Sequence, residues 1–442
     1  MEVTVIGAGL AGSEAAWQVA QQGVPVVLYE MRPATMTPAH RTDRFAELVC
    51  SNSLGSTLVD RAPGLLKEEL RRLGSIVLAV AEEHRVPAGR ALAVDREGFA
   101  EAVTERIASH PRIEIRRQEV TTIPGSGVVV VAAGPLASDA LSQDITRLAG
   151  STAITFFDAM APIVSLDSVG MGKAFRGGRF GEDQDYINCP MTADEYDRFV
   201  EALATADLAP LREFEAADRR FFEACLPVEV MAKRGRLVLA YGPLRPVGIV
   251  DPSTGRRPFA VVQLRQDNAS GTLYNLVGFQ TNLRYGEQER VFRMIPGLER
   301  AEFVRYGQMH RNTFIDSPRL LRPTFELRAR QGLFFGGQIT GTEGYMASTA
   351  SGLVAGINAA RRFGGEEPLA FPAETMIGAL SHYVSNEAVV DFQPMKPNFG
   401  LIPALEGRRG RRERARGYAE RSLAALEQFI ERQRLLPTGA TG

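Results

Sequence analysis

Gly7, Gly9 and Gly12 follow a short apolar run, Val3 to Ile6, and a carboxylate, Glu30, closes the next apolar run. Residues of these types at this spacing can hold a dinucleotide. Gly7 permits a tight turn, Gly9 lets the main chain approach a pyrophosphate, and Gly12 lets the following helix pack closely; Glu30 falls where a ribose hydroxyl needs an acceptor. The whole loop, Gly7, Ala8, Gly9, Leu10, Ala11 and Gly12, is therefore assigned to cofactor binding, with the N–H groups of the helix start facing phosphate. Glycines also gather in ordinary turns, so the flanks must decide. Residues 13–22 are rich in helix formers and are closed by Gly23, and Val24 to Tyr29 is apolar and β-branched enough for a second strand. An acid at position 30 suits FAD or NAD and disfavours a 2′-phosphate.

The second source of chemistry is sulfur. Cys50, Cys189 and Cys225 are too few and too scattered for a disulfide framework, and no Cys-x-x-Cys is present. Cys225 stands in Phe-Phe-Glu-Ala-Cys-Leu-Pro-Val, with Lys233, Arg234 and Arg236 following; nearby cations favour the thiolate, although apolar burial is the commoner fate of a single cysteine. Cys50 follows the basic stretch 38–44 and has polar neighbours, which suggests a loop close to the cofactor. Cys189, before Pro190, reads as structural. His40, His84, His110, His310 and His382 lack metal-ligand spacing, so no metal is expected.

The elements that must position these groups are spread along the chain. Residues 127–134, Gly-Val-Val-Val-Val-Ala-Ala-Gly, form a buried strand ending in a turn at Gly134. Residues 333–345 are an apolar strand that breaks into Gly336, Gly337, Gln338 and Gly341, followed by a helix through Ala360 whose N-terminus can point at the cofactor. Between these pieces the texture changes. Thr192 to Glu195 is a capping box opening a helix through about Ala204, and Arg236 to Leu239, Phe259 to Leu264 and Leu273 to Thr281 read as strands. The expected fold is α/β: a discontinuous Rossmann-like FAD-binding domain, residues 1–154 and 326–442, the latter with C-terminal helices. An α+β substrate domain, residues 155–325, is inserted between them.

A 442-residue chain with 45% hydrophobic and 23% charged residues is an ordinary globular protein of two or three domains. No apolar run reaches membrane-spanning length, and the first strand starts too early to leave room for a secretory signal, so the cytoplasm is expected and no membrane partner. A net charge of −1 argues against nucleic-acid binding by bulk attraction. Lysine stands only at Lys67, Lys173, Lys233 and Lys396, and all other cations are arginine. Genome composition is the simplest account of that bias, yet the guanidinium fork also suits phosphate and base stacking. The densest cluster is Arg408, Arg409, Arg411, Arg412, Arg414 and Arg416, at the front of a helix through Ile430: either a solvated face or an RNA contact.

Taken together, the chain resembles the folate- and FAD-dependent tRNA (uracil-5-)-methyltransferases, the TrmFO family, nearly end to end. The resemblance is carried by Val-Ile-Gly-Ala-Gly-Leu-Ala-Gly-Ser-Glu-Ala (5–15), Tyr-Glu-Met-Arg-Pro (29–33), Leu-Val-Cys-Ser-Asn-Ser-Leu (48–54), Met-His-Arg-Asn-Thr-Phe (309–314) and Phe-Gly-Gly-Gln-Ile-Thr-Gly-Thr-Glu-Gly-Tyr (335–345). The related enzymes of the tRNA wobble uridine share the first motif but are a poorer match, because the 29–33 and 48–54 segments are not theirs and their long helical C-terminal region is missing here. The resemblance implies methylation at C5 of uridine 54 in the T loop of tRNA. Methylenetetrahydrofolate gives the carbon, reduced FAD the electrons, and NADH or NADPH recharges the flavin. It adds Arg32 to the cofactor site. It also implies that Cys225 attacks C6 of the base and that Cys50 handles a proton or the methylene at C5, which reverses the structural reading of both thiols. Arg284, His310 and Tyr345 are the candidates for folate, by their place in motif-bearing or glycine-flanked segments. Two other classes stay open: a small-molecule flavin oxidoreductase, and a flavin-loaded RNA-binding factor without chemistry of its own.

Overall fold

The structure of the chain, a computed structural model, describes residues 1–37, 39–149, 154–210, 226–389, 392–407 and 410–435. Strands β1 (Val3–Ile6), β2 (Val26–Tyr29), β3 (Ser53–Ser56), β4 (Arg85–Val86), β5 (Ala91–Val94), β6 (Ile113–Arg116) and β7 (Val129–Val131) are interleaved with helices. These are α1 (Leu10–Gln21), α2 (Ala62–Arg72), α3 (Ile76–Glu83), α4 (Arg96–Ala108) and α5 (Asp139–Ala149). Then come β8 (Ile154–Ala159), β9 (Ile163–Ser165), β10 (Phe175–Arg176), β11 (Tyr186–Met191), β12 (Ala260–Gln266), β13 (Leu273–Leu276), β14 (Phe303–Arg305) and β15 (Met309–Phe314). Among them lie α6 (Ala193–Thr205), α7 (Val228–Lys233), α8 (Val238–Tyr241), α9 (Tyr285–Phe292) and α10 (Ser317–Leu320). The chain closes with β16 (Leu333–Phe335), α11 (Tyr345–Phe363), α12 (Met376–Val384) and α13 (Arg411–Gln433).

A parallel sheet in the order β16-β7-β1-β2-β6 organises the first core, and its central strands are buried on both faces, as parallel strands covered by helices must be. That core joins residues from Val3 to Ile145 with residues from Ile315 to Leu435. A second core, from Ala161 to Ala301, backs an antiparallel sheet in the order β10-β11-β12-β13-β9-β14. The antiparallel pair β8 and β15, with Ile154 opposite Phe314 and Ala159 opposite Met309, carries the chain out to the second core and back. β3, β5 and β4 form a small separate sheet.

Local chemistry explains some of the element ends, and close packing the way helices meet. Gly23, at φ +78°, lets the chain turn out of α1. Thr192 and Glu195 form the reciprocal capping box of α6. α1 and α11 cross at glycines: a Cβ at Gly352 would lie 2.2 Å from the Ala11 carbonyl oxygen, and one at Gly356 2.6 Å from that of Ala15. Glu69, fully buried on α2, accepts from the Met376 and Ile377 N–H groups at the start of α12 and from the Ser422 hydroxyl of α13, tying three helices together. Two expected strands differ. Residues 236–239 turn into α8, because the Tyr196 hydroxyl donates to the Arg236 carbonyl and accepts from the Ala240 N–H, a tertiary clasp that outweighs four residues of strand propensity. The strand from Leu273 stops at Leu276, and Gly278 at φ +81° turns it aside.

Candidate active site

Two cavities meet at a wall formed by Val49, Pro135, Leu136, Gln338 and Tyr345. The first follows the glycine loop. Gly7 takes φ +96°, and Gly7, Ala8, Gly9, Leu10 and Ala11 line it together with Glu30, Arg32, Gly134, Gly337 and Gln338. A Cβ at Gly9 would meet nothing within 4 Å, so the chain there borders open space of the kind a diphosphate fills; a flavin dinucleotide fits this cradle. Three further glycines assigned to the cofactor site are closely packed. A Cβ at Gly12 would fall 1.7 Å from the Gly7 oxygen, one at Gly336 would press on Gly352, and one at Gly341 would strike the Phe392 ring at 2.3 Å.

Glu30 does more than wait for a ribose. Its two oxygens accept from the Ala8 N–H (3.0 Å), the Arg32 N–H (3.0 Å), Arg32 Nε (2.8 Å) and Arg32 Nη2 (3.2 Å). Those bonds occupy the acceptor capacity of a carboxylate, so a ribose hydroxyl would have to replace one of them. Burial would raise the Glu30 carboxyl, but the Arg32 guanidinium and the backbone donors outweigh it and hold the group below its usual range. Arg32 also reaches Glu47 and the Thr42 carbonyl, which fixes the loop that covers the cavity.

The second cavity is lined by Cys50, Ser51, Met160, Gln280, Lys396 and the first turn of α11 (Tyr345, Met346 and Ala347), so that a helix start without a side-chain cap faces it. The Tyr345 hydroxyl accepts from the Cys50 N–H (2.8 Å) and the Ser51 N–H (3.2 Å). Burial pushes its phenol up, keeping it protonated. The segment 48–52 is pinned by three arginines: Arg96 Nη1 donates to the Leu48 carbonyl (2.7 Å) and Arg305 Nη2 to that of Val49 (2.7 Å). Arg265 donates to the Asn52 Oδ1 (3.0 Å) and the Ser51 hydroxyl (3.2 Å).

The structure therefore brings Cys50 and Tyr345 to one cavity beside the glycine loop. Cys225 lies outside the described residues, which resume with Leu226. Arg284 stands at the N-cap position of α9, its guanidinium donating to the Leu208 carbonyl, and it lines neither cavity. His310 belongs to β15 by its backbone. Cys189 is buried in β11, its thiol pushed up to about 12 by desolvation, and so is inert. Arg412, Arg414 and Arg416 are exposed on α13, while Arg408 and Arg409 fall outside the described residues. No group of histidine, cysteine or carboxylate side chains suited to a metal occurs among the described residues, and no described helix is long and apolar enough to cross a membrane. The arginines around Cys50 had no signal in the sequence: Arg96, Arg265 and Arg305 are far apart and ordinary in their local context.

Comparison with known proteins shows the family and the fold. The family described as glucose inhibited division protein A matches residues 2–367. The methylenetetrahydrofolate–tRNA-(uracil-5-)-methyltransferase TrmFO of Heliobacterium modesticaldum is 58% identical over 97% of this chain and 98% of its own. The protein of the same name from Enterococcus faecalis is 56% identical over 97% and 99%. Among solved structures, Aquifex aeolicus GidA superposes with a TM-score of 0.70 over 98% of this chain and 75% of its own, at 18% identity, a likeness of fold.

Proposed function

The chain belongs to the TrmFO family, and from that premise we propose that it methylates C5 of uridine 54 in the T loop of tRNA. Methylenetetrahydrofolate is the carbon source, and NADH or NADPH the reductant, in the cytoplasm. Bound FAD supplies the electrons that reduce the transferred carbon to a methyl group. The observation that carries this reading is the shared wall: the cavity holding Cys50 opens directly beside the glycine cradle, so a base and a folate can reach the inner end of a dinucleotide.

The residues then divide the work. Gly7 to Ala11, Glu30, Arg32, Gly134, Gly337 and Gln338 hold the cofactor. Uracil C5 is barely nucleophilic until sulfur adds to C6, and we assign that addition to Cys225, with the target base drawn out of its stack. Cys50 handles the proton or the methylene at C5 from its place on the cavity wall. Tyr345 keeps the Cys50 loop in register through its two N–H bonds. The exposed arginines of α13 are assigned to the tRNA backbone.

The test supplies unmodified tRNA, labelled methylenetetrahydrofolate and NADPH to the flavin-loaded enzyme. Label on the T-loop uridine is expected, with loss of transfer in Cys225→Ala. Retention of tRNA without label would mark an RNA-binding factor, NADPH consumption indifferent to both substrates an oxidoreductase, and undiminished transfer by Cys225→Ala would remove its role as nucleophile.

A further inference from the structure

In the inserted sheet, Arg265 of β12 lies opposite Asn275 of β13, Asn275 opposite Ile163 of β9, and Ile163 opposite Arg305 of β14. Directly opposed residues of antiparallel strands share a face, so these side chains form one row across four strands, against the segment carrying Cys50. The register shift between Phe303 and Arg305 is what brings Arg305 into line. Arg265, Asn275 and Arg305 are all at least nine-tenths buried. Asp267 is bound by Arg96 through a fork of contacts (2.8–3.1 Å), whereas neither Arg265 nor Arg305 makes an ion pair among the described residues. Asn275 Nδ2 and Arg305 Nε have no hydrogen-bond partner among those residues either. Buried cations without a counter-ion are costly, and so are buried donors without acceptors. Asp267, already engaged by Arg96, acts on both arginines, and a site with this surplus of cations favours further negative charge beside it.

We propose that Arg265 and Arg305, which lie in one row with Asn275, are positioning residues that hold the Cys50 segment by its own polar atoms, and that Arg265 keeps negative charge on the Cys50 sulfur. The cations around Cys50 support this sign. Arg96 from α4 and Arg265 from β12 both interact electrostatically with Cys50. Burial, then Arg96 and Arg41, work against the charge of Arg305, only partly offset by Tyr345 and Asp267, and an added anion would relieve it further. Tyr345 from α11 also faces Cys50, but its phenol is held protonated by burial, so it does not take the negative charge. Asp267 is neutralised by Arg96, Tyr186 lies beyond Arg265, and Glu343 and Lys396 line the same cavity with opposite signs. The inference rests on the reading of Cys50 as a reacting thiol, yet its test does not require turnover.

The flavin-loaded full chain is treated with iodoacetamide across pH 5.5–10, and alkylation of the Cys50 peptide is followed by mass spectrometry. The native Cys50 profile should inflect about one pH unit or more below the value near 8.5 of an ordinary cysteine. Arg265→Met should move the inflection up by about one pH unit or more, and Arg265→Lys should restore most of the difference. A native inflection at or above about 8.5 would overturn the proposal even if no variant folds. So would Met and Lys variants that both match the native profile, or that both shift alike. Undiminished methyl transfer by Cys50→Ser would instead remove Cys50 from the reaction and leave the alkylation result standing.

Discussion

Replacing Gly9 and Gly12 in turn by alanine separates holding a cofactor from holding the fold. Gly9 has φ −72° and ψ −169°, a conformation any residue adopts, and its Cβ would meet nothing within 4 Å. Gly9→Ala should therefore leave the flavin-free protein as stable as before, or raise its stability by about 0.4–1 kcal/mol through the unfolded chain. The same methyl fills space a diphosphate needs. An intrusion of that kind costs about 1–3 kcal/mol, which weakens FAD binding by roughly 5–150-fold. Gly12→Ala behaves in the opposite way: a Cβ 1.7 Å from the Gly7 oxygen forces α1 back by roughly 1.5 Å, a distortion worth about 3 kcal/mol and a fall in Tm of several degrees with or without flavin. The assay is a thermal melt of flavin-free protein beside a titration with FAD followed by fluorescence quenching. Wild-type FAD affinity in Gly9→Ala would refute the placement of the diphosphate, and a wild-type melt in Gly12→Ala would refute the close approach of helix and turn.

Other outcomes follow from the buried groups. Burial raises the carboxyls of Glu14 and Glu69 to about 7, so the folded protein holds protons that the unfolded chain loses near pH 4.5. Stability should fall as pH rises from about 5 to about 8, by up to ~3 kcal/mol for each group, opposed by His110, whose ring burial holds low. A melting temperature that climbs over that window would refute the assignment, and Glu69→Gln should flatten the decline. Tyr345→Phe strips the acceptor from the Cys50 and Ser51 N–H groups, a loss of about 1–3 kcal/mol; methyl transfer should drop about tenfold or more while FAD affinity stays within about threefold. Neutralising Arg412, Arg414 and Arg416 should lower the salt slope of tRNA binding by about 0.7–0.9 for each phosphate that is no longer neutralised, and an unchanged slope would return them to a solvated face.

What could be read from the residues alone was chemistry that acts over a few positions. The turn at Gly7, the acid at Glu30 and the capping box at Thr192 each declare themselves within a short window, because the constraint is steric or a local hydrogen bond. Glu30 illustrates the boundary: its role as an acceptor was legible, but its saturation by Arg32 depends on a loop fold that spacing does not specify. Arg236 to Leu239 misled because a hydroxyl forty residues away decides its shape. The row from Arg265 to Arg305 was invisible, since only sheet register and a bulge align residues of four strands. The close packing of Gly336 and Gly341 was not legible either, since a glycine does not declare its neighbours.

The position of β16 has a consequence for biogenesis. It is an edge of the parallel sheet and lies beside β7, yet nearly half of the polypeptide is synthesised between the two. While the ribosome makes the intervening segment, Val129 to Val131 present an uncovered, sticky rim, the kind of surface on which nascent chains aggregate. The cradle acquires Gly337 and Gln338 only after that strand arrives, so uptake of the yellow cofactor reports that the late segment has docked.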